Sequence, residues 1–465
     1  MKKKELSSFK QFAQVDAGDL LFGKSLSGNE YGFFPASFLG DDGYAAVRFN
    51  LDQSSPVGER CGDLNYVKRL PSLGCYLVGN DHSRKKLDPN NHYKFATGEA
   101  AKLDGTMGQY QWGVRTPFYV AAWMEGSYLY EAASLKPIPG RECYHVPVFS
   151  IAAGHSGIID RTNNILCSLI SSAERYRGGS AITSGNASAE NLSMLGYAAT
   201  EKGTATFEEL GRKRGEGWGA GWYWIDTVIM ILADIILGTR NIQTSFSASK
   251  DANGLYQGGL GYGVASMPGW EAYNGYHPVV PYSAGVELAD ALGVASYAVK
   301  KSDGTVVYNA PIPCFFGLKN PYGHLWCGKN RIVAVINADG SYSFYVAKSS
   351  LTEWKYSETA NMIKVGTILP STPETWNYVK RINFQGLAGM PSEDGATAAT
   401  YRSDGCYFNK AVSGFRSPLG SGNANNGDID GLAYFNGNYA PSNSNANLSS
   451  PHYLGGWLCL HPSSI

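Results

Sequence analysis

The sequence lacks an excess of charge of either sign. Its 465 residues contain 39 Lys and Arg against 39 Asp and Glu, and only 17% of all residues are charged. A neutral chain has no general attraction to phosphate backbones or to anionic lipid surfaces. We therefore expect no nucleic-acid partner.

A hydrophobic run long enough to cross a bilayer is also missing. The best stretch, Trp222 to Leu237, contains Asp226 and Asp234. It is also shorter than the roughly 20 residues that a membrane-spanning helix needs. The segment from Trp222 to Arg240 instead predicts a buried helix that ends at Gly238. We expect no membrane insertion.

Closely spaced cysteine pairs are absent. The eight cysteines are spread from Cys61 to Cys459, and no C-x-x-C motif occurs. Such spacing indicates neither a zinc knuckle nor a dense disulfide scaffold. We therefore expect reduced, buried thiols.

Signatures of catalytic and nucleotide-binding sites are missing or out of context. The eight histidines form no H-E-x-x-H motif, and Gly154-His-Ser-Gly157 has the wrong spacing for a nucleophile elbow. Residues 18–25 match the phosphate-loop pattern, but apolar side chains would fill the cradle and no helical pattern follows. We predict no catalytic residue and no cofactor. A metal site would require ligands that converge in space, and none is predicted. Paired carboxylates of the glycosidase type stay open, because their spatial separation decides the matter.

Glycine and aromatic residues are abundant instead, with 56 Gly, 30 Tyr and 10 Trp. From about Cys61 onward, short Val-, Tyr- and Phe-rich segments alternate with clusters of Gly, Asn and Pro, which indicates strands joined by long loops. Two stretches have a helical pattern, Asn163 to Arg177 and Trp222 to Arg240. We therefore predict an α+β fold.

The N-terminal 60 residues differ in pattern from the rest of the chain. Residues 5–14 have the pattern of a short amphipathic helix, and residues 19–35 predict a strand, a Gly/Asn turn and a second strand. A unit of this size buries little surface alone, so we expect it to rest on a neighbour or on copies of itself. We predict two domains, residues 1–60 and residues 61–465.

The C-terminal tract is rich in amides and rings. Ser421 to Ser450 contains eight Asn together with Tyr434, Phe435 and Tyr439. Tyr provides amphipathic contact area at low entropic cost, and Asn, Ser and Gly provide adaptable hydrogen bonds, as in antibody binding loops. An apolar segment, Tyr453 to Leu460, follows and is typical of a buried terminal strand. We therefore predict that the tract forms ordered surface loops that bind a ligand, with sugars as good candidates.

Four segments occur in the order found in one known family: Leu103 to Tyr119, Ile231 to Gln243, Phe316 to Trp326 and Gly455 to Leu460. The third is similar to the turn G-x-x-N-x-x-G-N-x-W, with His324 in the place of the second Asn. In the fourth, Trp457 replaces the Arg of a terminal G-x-R strand. The chain thus resembles the C-type-lectin-like domains of bacteriophage receptor-binding proteins. This group includes the major tropism determinant and is related in fold to formylglycine-generating enzyme.

The resemblance implies a C-type-lectin-like fold over about residues 75–465, with ligand contacts in the loops before the terminal strand. On this chain the implied receptor-binding residues are Tyr407, Phe408, Tyr434, Phe435, Asn436, Asn438, Tyr439, Asn443, Asn445 and Asn447. The calcium-binding tripeptides Glu-Pro-Asn and Trp-Asn-Asp of sugar-binding C-type lectins are absent, so calcium-dependent sugar binding is not expected. The N-terminal unit resembles the β-rich segments that attach phage fibres to the virion.

These features together predict a phage virion fibre or spike protein that adheres to a bacterial surface receptor, either a glycan or a surface protein, without catalysis. Residues 1–60 would contact other virion proteins, and fibre architecture implies a homotrimer on the particle surface. Two alternatives stay open. One is a structural head or tail decoration protein. The other is an enzyme, either a glycan hydrolase or one of the formylglycine-generating type with Cys406 and Cys459 as candidate cysteines.

Overall fold

The chain folds mainly as β-sheet. A computed structural model describes residues 20–24, 31–35, 43–62, 72–171, 173–176, 203–247, 249–250, 254, 256, 258–259, 280–300, 305–348, 354–424, 426–444 and 447–456. Strands account for 41% of the structure and helices for 12%. The predicted α+β class is therefore wrong. In the described ranges, most of the segments between Gly and Pro turns pair as strands, and few of those residues are helical.

The strands are short. In chain order the described ranges contain β1 (Leu20–Lys24), β2 (Tyr31–Pro35), β3 (Tyr44–Asn50), β4 (Glu59–Gly62), β5 (Gly74–Val78), β6 (Arg84–Asp88), β7 (Asn91–Phe95), β8 (Gln109–Gly113), β9 (Phe118–Glu125), β10 (Tyr128–Ser134), β11 (Tyr144–Val146), β12 (Phe149–Ala152), β13 (Ile158–Asp160), β14 (Ile165–Cys167) and β15 (Trp218–Ala220). They continue with β16 (Gly293–Lys300), β17 (Val306–Phe315), β18 (Leu318–Lys319), β19 (Trp326–Gly328), β20 (Ile332–Ile336), β21 (Tyr342–Ala347), β22 (Met362–Ile368), β23 (Trp376–Asn383), β24 (Met390–Asp394), β25 (Gly405–Tyr407), β26 (Phe415–Arg416), β27 (Leu419–Gly420), β28 (Phe435–Asn436), β29 (Leu448–Ser449) and β30 (His452–Gly455).

The α-helices of the described ranges are α1 (Thr204–Arg212), α2 (Tyr223–Leu237) and α3 (Ile242–Phe246). Short 3-10 turns occur at Glu174–Tyr176, Val286–Leu288, Gln385–Leu387 and Gly427–Ile429. Within these ranges, no helix combines the length and the apolar character needed to cross a membrane. The helix predicted over residues 163–177 is wrong, because Ile165–Cys167 pairs as β14 with β13 and only the last turn is helical.

Two seven-stranded sheets dominate the molecule. Sheet I has the order β15-β30-β12-β8-β5-β6-β7, and sheet II has the order β24-β23-β25-β28-β27-β19-β29. A five-stranded sheet, β11-β9-β10-β3-β4, and a four-stranded sheet, β22-β21-β20-β26, lie beside them. One hydrophobic core with members from all of these sheets joins them.

Helix α2 lies in the middle of this core. Its sequence, YWIDTVIMILADIIL, is apolar on nearly every face, which is typical of a helix buried on all sides. The helix contacts β3, β10 and α3, and Trp224 and Ile231 are 1% and 0% exposed. It ends at Gly238, where φ is +67° and the N–H donates to the Asp234 carbonyl. That left-handed conformation favours glycine. The predicted buried helix and its glycine end are confirmed.

A buried ion cluster fastens α2 to two distant segments. Arg402 Nη2 donates to Asp234 on α2 and to Glu131 Oε1 on β10, the latter at 3.1 Å. Arg240 Nη2 reaches the same Glu131 oxygen at 3.3 Å. Burial alone would raise the pKa of Glu131, but attraction to Arg402 and Arg240 lowers it below its usual value. Burial instead raises the pKa of Asp234 well above its usual value, and the neighbouring Glu131 adds to this. The cluster therefore keeps one acid, Glu131, charged in the core by pairing it with two arginines.

The N-terminal hairpin forms as predicted. Strands β1 and β2 pair antiparallel, from Leu20 opposite Pro35 to Lys24 opposite Tyr31. Lys24 thus lies in a strand rather than at the start of a helix, and the phosphate-loop pattern lacks its structural context. The helix predicted over residues 5–14 lies outside the described residues.

The proposed boundary at residue 60 falls within β4. Strand β3 pairs with both β4 and β10, so residues 44–60 contribute to a sheet that includes strands of the second predicted domain. The division into an attachment module and a receptor-binding domain stays a prediction.

Strand β30 lies inside sheet I rather than at its edge. Tyr453 pairs with Ile151 of β12 on one side and with Gly219 of β15 on the other, and its side chain is fully buried. The predicted terminal strand is confirmed over His452–Gly455. Residues 457–460 lie outside the described residues.

Candidate binding site

Sheet II brings the predicted binding segment together with a strand that the sequence analysis did not include. Tyr407 on β25 lies opposite Trp376 on β23, and on its other side opposite Asn436 on β28. Residues that are far apart in the sequence therefore stand side by side in one sheet. Trp376 is 41% exposed, which is unusual for so large an apolar side chain.

Five of the predicted receptor-binding residues are buried, each less than 5% exposed: Phe408, Tyr434, Phe435, Asn436 and Asn447. In this conformation a receptor could not touch their side chains, which pack beneath the surface and shape it. Tyr407, Asn438 and Tyr439 are half-buried, and Asn443 is exposed. Asn445 lies outside the described residues. The described residues of the tract over 421–450 are mostly buried rather than part of surface loops, which corrects the prediction.

The accessible rings form a small surface, the aromatic patch, defined by Trp376, Tyr407 and Tyr439. The ring centres of Trp376 and Tyr407 are 5.2 Å apart, with an angle of 49° between the planes. Trp376 packs on the buried Tyr434 with ring centres 5.5 Å apart, and Tyr439 packs on the buried Trp326 at 5.1 Å. The patch is therefore a set of accessible rings supported by a second, buried layer of rings.

Hydrogen bonds fix the buried layer. Trp326 Nε1 donates to Tyr434 Oη at 2.9 Å and to Asn426 Oδ1 at 3.1 Å. Burial raises the pKa of Tyr434, and Asp430 adds to the effect, so this phenol stays neutral. A satisfied network of this kind holds its members in single rotamers. The accessible rings therefore rest on a rigid floor.

The turn before Trp326 has the geometry that its glycines and asparagine predict. Gly317 has φ of +98° and Gly323 has φ of +74°, while Asn320 adopts +51°. These left-handed conformations suit Gly and are tolerated by Asn. The turn places Trp326 in this buried layer, where its side chain is 7% exposed and fills the space beneath the patch.

Two amide side chains, those of Asn438 and Asn443, are close to Tyr439 in the chain. Asn438 Oδ1 accepts from Asn409 Nδ2 at 2.9 Å, and Asn443 Oδ1 accepts from the Ala440 N–H at 2.6 Å. These bonds occupy the amide oxygens. In the described structure, the NH₂ groups of Asn438 and Asn443 are thus available as donors to a ligand.

Two buried acids lie at the loop that carries Tyr434: Asp430 within it and Asp404, which immediately precedes β25. Asp404 Oδ2 accepts from the Ala433 N–H at 2.8 Å, and burial raises the pKa of Asp404 to about 7. Burial also raises the pKa of Asp430 well above its usual range, and Asp404 adds to this. Within the described part of the chain no donor reaches Asp430 Oδ1. Both acids are therefore protonated in mildly acidic solution.

A cysteine, a histidine and an acid meet in the core at the near-match to a nucleophile elbow. Cys327 Sγ lies 3.5 Å from His155 Nδ1, and His155 Nε2 lies 3.7 Å from Asp226 Oδ1. Burial opposes a charge on His155, but Cys327 and Asp226 raise its pKa to about 10. The atoms follow the order of a nucleophile, a base and an orienting acid. Cys327 is only 2% exposed, however, so no substrate can reach its sulfur in this conformation.

The three tryptophans between Gly217 and Ile225 are core residues, a point that the sequence alone left open. Trp218, Trp222 and Trp224 are 3%, 5% and 1% exposed. Trp218 and Trp222 also form part of the wall of an open recess of about 460 Å³, which Arg212 and Arg331 line as well. The residues that line this recess are different from those of the aromatic patch.

The sequence analysis missed Trp376, which is the most exposed ring of the candidate site. Its local signal is weak: a tryptophan between the polar Thr375 and Asn377, just after a turn. That Trp376 lies beside the predicted residue Tyr407 follows only from the pairing of β23 with β25. Sequence spacing carries no information on that pairing.

Comparisons with known proteins give little further support. No protein-family model matches the chain, and no curated protein matches it. Among solved structures the chain is similar to one titled Major Tropism Determinant U1 Variant, with a TM-score of 0.22 and 10% sequence identity over 97% of this chain and 98% of that chain. A similarity of this size is weak and assigns neither fold nor function, so the molecule's own geometry must carry any functional argument.

Proposed function

We propose that this chain is an adhesin of a phage particle that binds a bacterial surface glycan through the aromatic patch. The observation that carries the proposal is Trp376, 41% exposed, which stands beside Tyr407 on a rigid floor of buried rings. Exposed rings of this kind offer a face for the apolar C–H side of a sugar, and the adjoining Asn438 and Asn443 amides can bind its hydroxyls.

The net charge of zero fits an uncharged partner, because nothing in the overall balance favours an acidic polymer. The virion location, the attachment through residues 1–60 and the homotrimer belong to the same proposal. They rest on the resemblance of the sequence to phage receptor-binding proteins, and the absence of catalysis belongs to the proposal as well.

The first prediction concerns Trp376→Ala in the purified full chain. Because truncation of a central aromatic anchor costs at least about 2 kcal/mol, we expect binding to fall about 30-fold or more. The measurement is adsorption to a panel of bacterial strains and to their isolated surface polysaccharides. Protease treatment of the cells separates a glycan receptor from a protein receptor.

Tyr93→Ala is the matched control, since Tyr93 is an aromatic residue on β7 with 50% exposure and lies outside the patch. We expect this variant to adsorb like the wild type. Thermal unfolding of both variants must stay close to that of the wild type. Equal adsorption of Trp376→Ala and the wild type would refute the patch as the binding site. A wild-type chain that adsorbs to no strain but assembles into particles would favour the decoration role.

A further inference from the structure

Three side chains of metal-binding types meet between sheet I and the segment that precedes β16. Cys75 lies on β5, His92 on β7, and Asp290 follows the 3-10 turn at Val286–Leu288. One ligand atom from each, a sulfur, an imidazole nitrogen and a carboxylate oxygen, lies within 4.8 Å of the other two. Cys75 and His92 are 0% and 1% exposed. A metal site requires ligands that converge in space, and the sequence alone could not show whether any do.

The imidazole is oriented by a second layer of groups. His92 Nε2 faces Asp290 Oδ1 at 2.9 Å, while His92 Nδ1 lies 2.6 Å from Tyr110 Oη. Tyr110 is in turn held by Lys319 Nζ at 2.8 Å. In metal sites the second ring nitrogen of a histidine ligand is usually fixed by such a hydrogen bond. Here that bond leaves Nε2 directed toward the acid and the thiol.

Two ammonium groups lie near the three side chains. Lys319 Nζ is bound to Tyr110 Oη at 2.8 Å. Without a metal, Lys86 compensates Asp290, with its Nζ 3.2 Å from Oδ2. The Lys86 side chain is 22% exposed and can turn toward solvent.

We propose that Cys75, His92 and Asp290 form a zinc site. A thiolate, an imidazole and a carboxylate match zinc better than magnesium or calcium, which prefer oxygen ligands alone. Zinc–ligand bonds of about 2.0 to 2.3 Å place tetrahedral neighbours roughly 3.3 to 3.8 Å apart, so the three atoms need small shifts only. A thiolate and a carboxylate neutralise the divalent ion, and water takes the fourth position.

Binding then follows a defined proton balance. The Cys75 thiol releases one proton to solvent as its sulfur bonds the ion, and the Lys86 ammonium leaves Asp290 with its charge unchanged. Zinc affinity therefore rises with pH. The ion would link β5, β7 and the segment at residue 290 and would stabilise the native chain.

The test uses the purified full chain after chelator treatment and desalting. We expect it to take up one Zn²⁺ per chain, measured by elemental analysis, and to unfold at a higher temperature when zinc is bound. With Co²⁺ in place of zinc, we expect the visible bands of tetrahedral cobalt and a sulfur-to-metal charge-transfer band. Uptake of less than a tenth of an equivalent by the wild type would overturn the proposal.

Three variants distinguish this site from adventitious binding. Cys75→Ser should lose the charge-transfer band, and Cys61→Ser, which alters the half-buried thiol on β4, should keep it. Lys86→Gln removes the competing ammonium and keeps all three ligands, so we expect at least a tenfold gain in zinc affinity. A charge-transfer band that survives Cys75→Ser, or weaker zinc binding by Lys86→Gln, would contradict the proposal. Lys86→Gln keeps the test decisive even if Cys75→Ser does not fold.

Discussion

Arg402→Met is expected to destabilise the protein by about 3 to 5 kcal/mol, because it removes the cation that Glu131 and Asp234 share in the core. Arg402 is 2% exposed, so neither water nor salt can take its place. Arg240 reaches only Glu131, at 3.3 Å, so the buried Asp234 side chain would lose its hydrogen bond to Arg402 without a replacement. The measurement is urea unfolding of the full chain at neutral pH, followed by tryptophan fluorescence.

Arg48→Met is the matched control. Arg48 also binds a carboxylate, Glu59 Oε2 at 2.6 Å, but on an exposed surface. Exposed pairs contribute about 0 to 1 kcal/mol, so we expect little change. The double variant Arg402→Met, Asp234→Asn should recover part of the loss, since Glu131 keeps Arg240 as its partner and no unpaired charge stays in the core. Equal losses in the free energy of unfolding for the two single Arg variants would show that the buried cluster contributes no more to stability than an exposed ion pair.

Asp404→Asn is expected to make the protein more stable than the wild type at pH 8 and to remove part of the pH dependence of unfolding. Burial raises the pKa of Asp404 from 3.8 to about 7, although Arg402 and the Ala433 N–H act in the opposite direction. Between those two pH values the folded chain binds a proton that the unfolded chain has released. The contribution of Asp404 is therefore fully present below about pH 4 and is lost as the pH rises to 7.

The size of this effect follows from the pKa difference. At about 1.36 kcal/mol per pH unit, the change from 3.8 to about 7 corresponds to about 4 kcal/mol, which is an upper value for one buried acid. The measurement is the free energy of unfolding of the wild type minus that of Asp404→Asn, taken at pH 5, 6, 7 and 8. We expect this difference to fall between pH 5 and pH 7 and to level off toward pH 8.

Asp81→Asn serves as a control of opposite sign. The Ser83 hydroxyl and N–H bind the exposed Asp81 and lower its pKa, so its contribution is present at neutral pH and is lost in acid. We expect no loss of stability from this residue as the pH rises from 5 to 8. A difference for Asp404→Asn that stays flat, or rises with pH, would show that Asp404 is charged in the folded chain throughout.

The elements that local chemistry determines were predictable from the sequence. Helix α2 follows from an apolar run that closes at Gly238, and the first hairpin follows from two apolar segments around a Gly/Asn turn. The turn that ends at Trp326 was also predictable, because Gly317 and Gly323 permit backbone conformations that few other residues adopt.

Long-range pairing determines the rest, and no local pattern encodes it. Residues 165–167 have a helical period in the sequence, yet they form a strand because β13 is available as a partner. Their polar neighbours in the sequence predicted exposed rings for Tyr434 and Phe435, but both side chains are buried beneath sheet II. Cys75 and Asp290 are far apart in the chain and meet only through the packing of the folded sheets.

Because β30 lies between β12 and β15, sheet I cannot be completed until the ribosome has synthesised residues 452–455. Strand β12 must wait for a partner about 300 residues later, and at ribosomal rates of about 5 to 20 residues per second that wait lasts roughly 15 to 60 s. During this time β12 and β15 present open backbone edges on the nascent chain, which are sites of aggregation. Chaperone cover during synthesis should therefore raise the soluble yield. Products of premature termination before residue 452 should be insoluble, even though most of the core sequence is present.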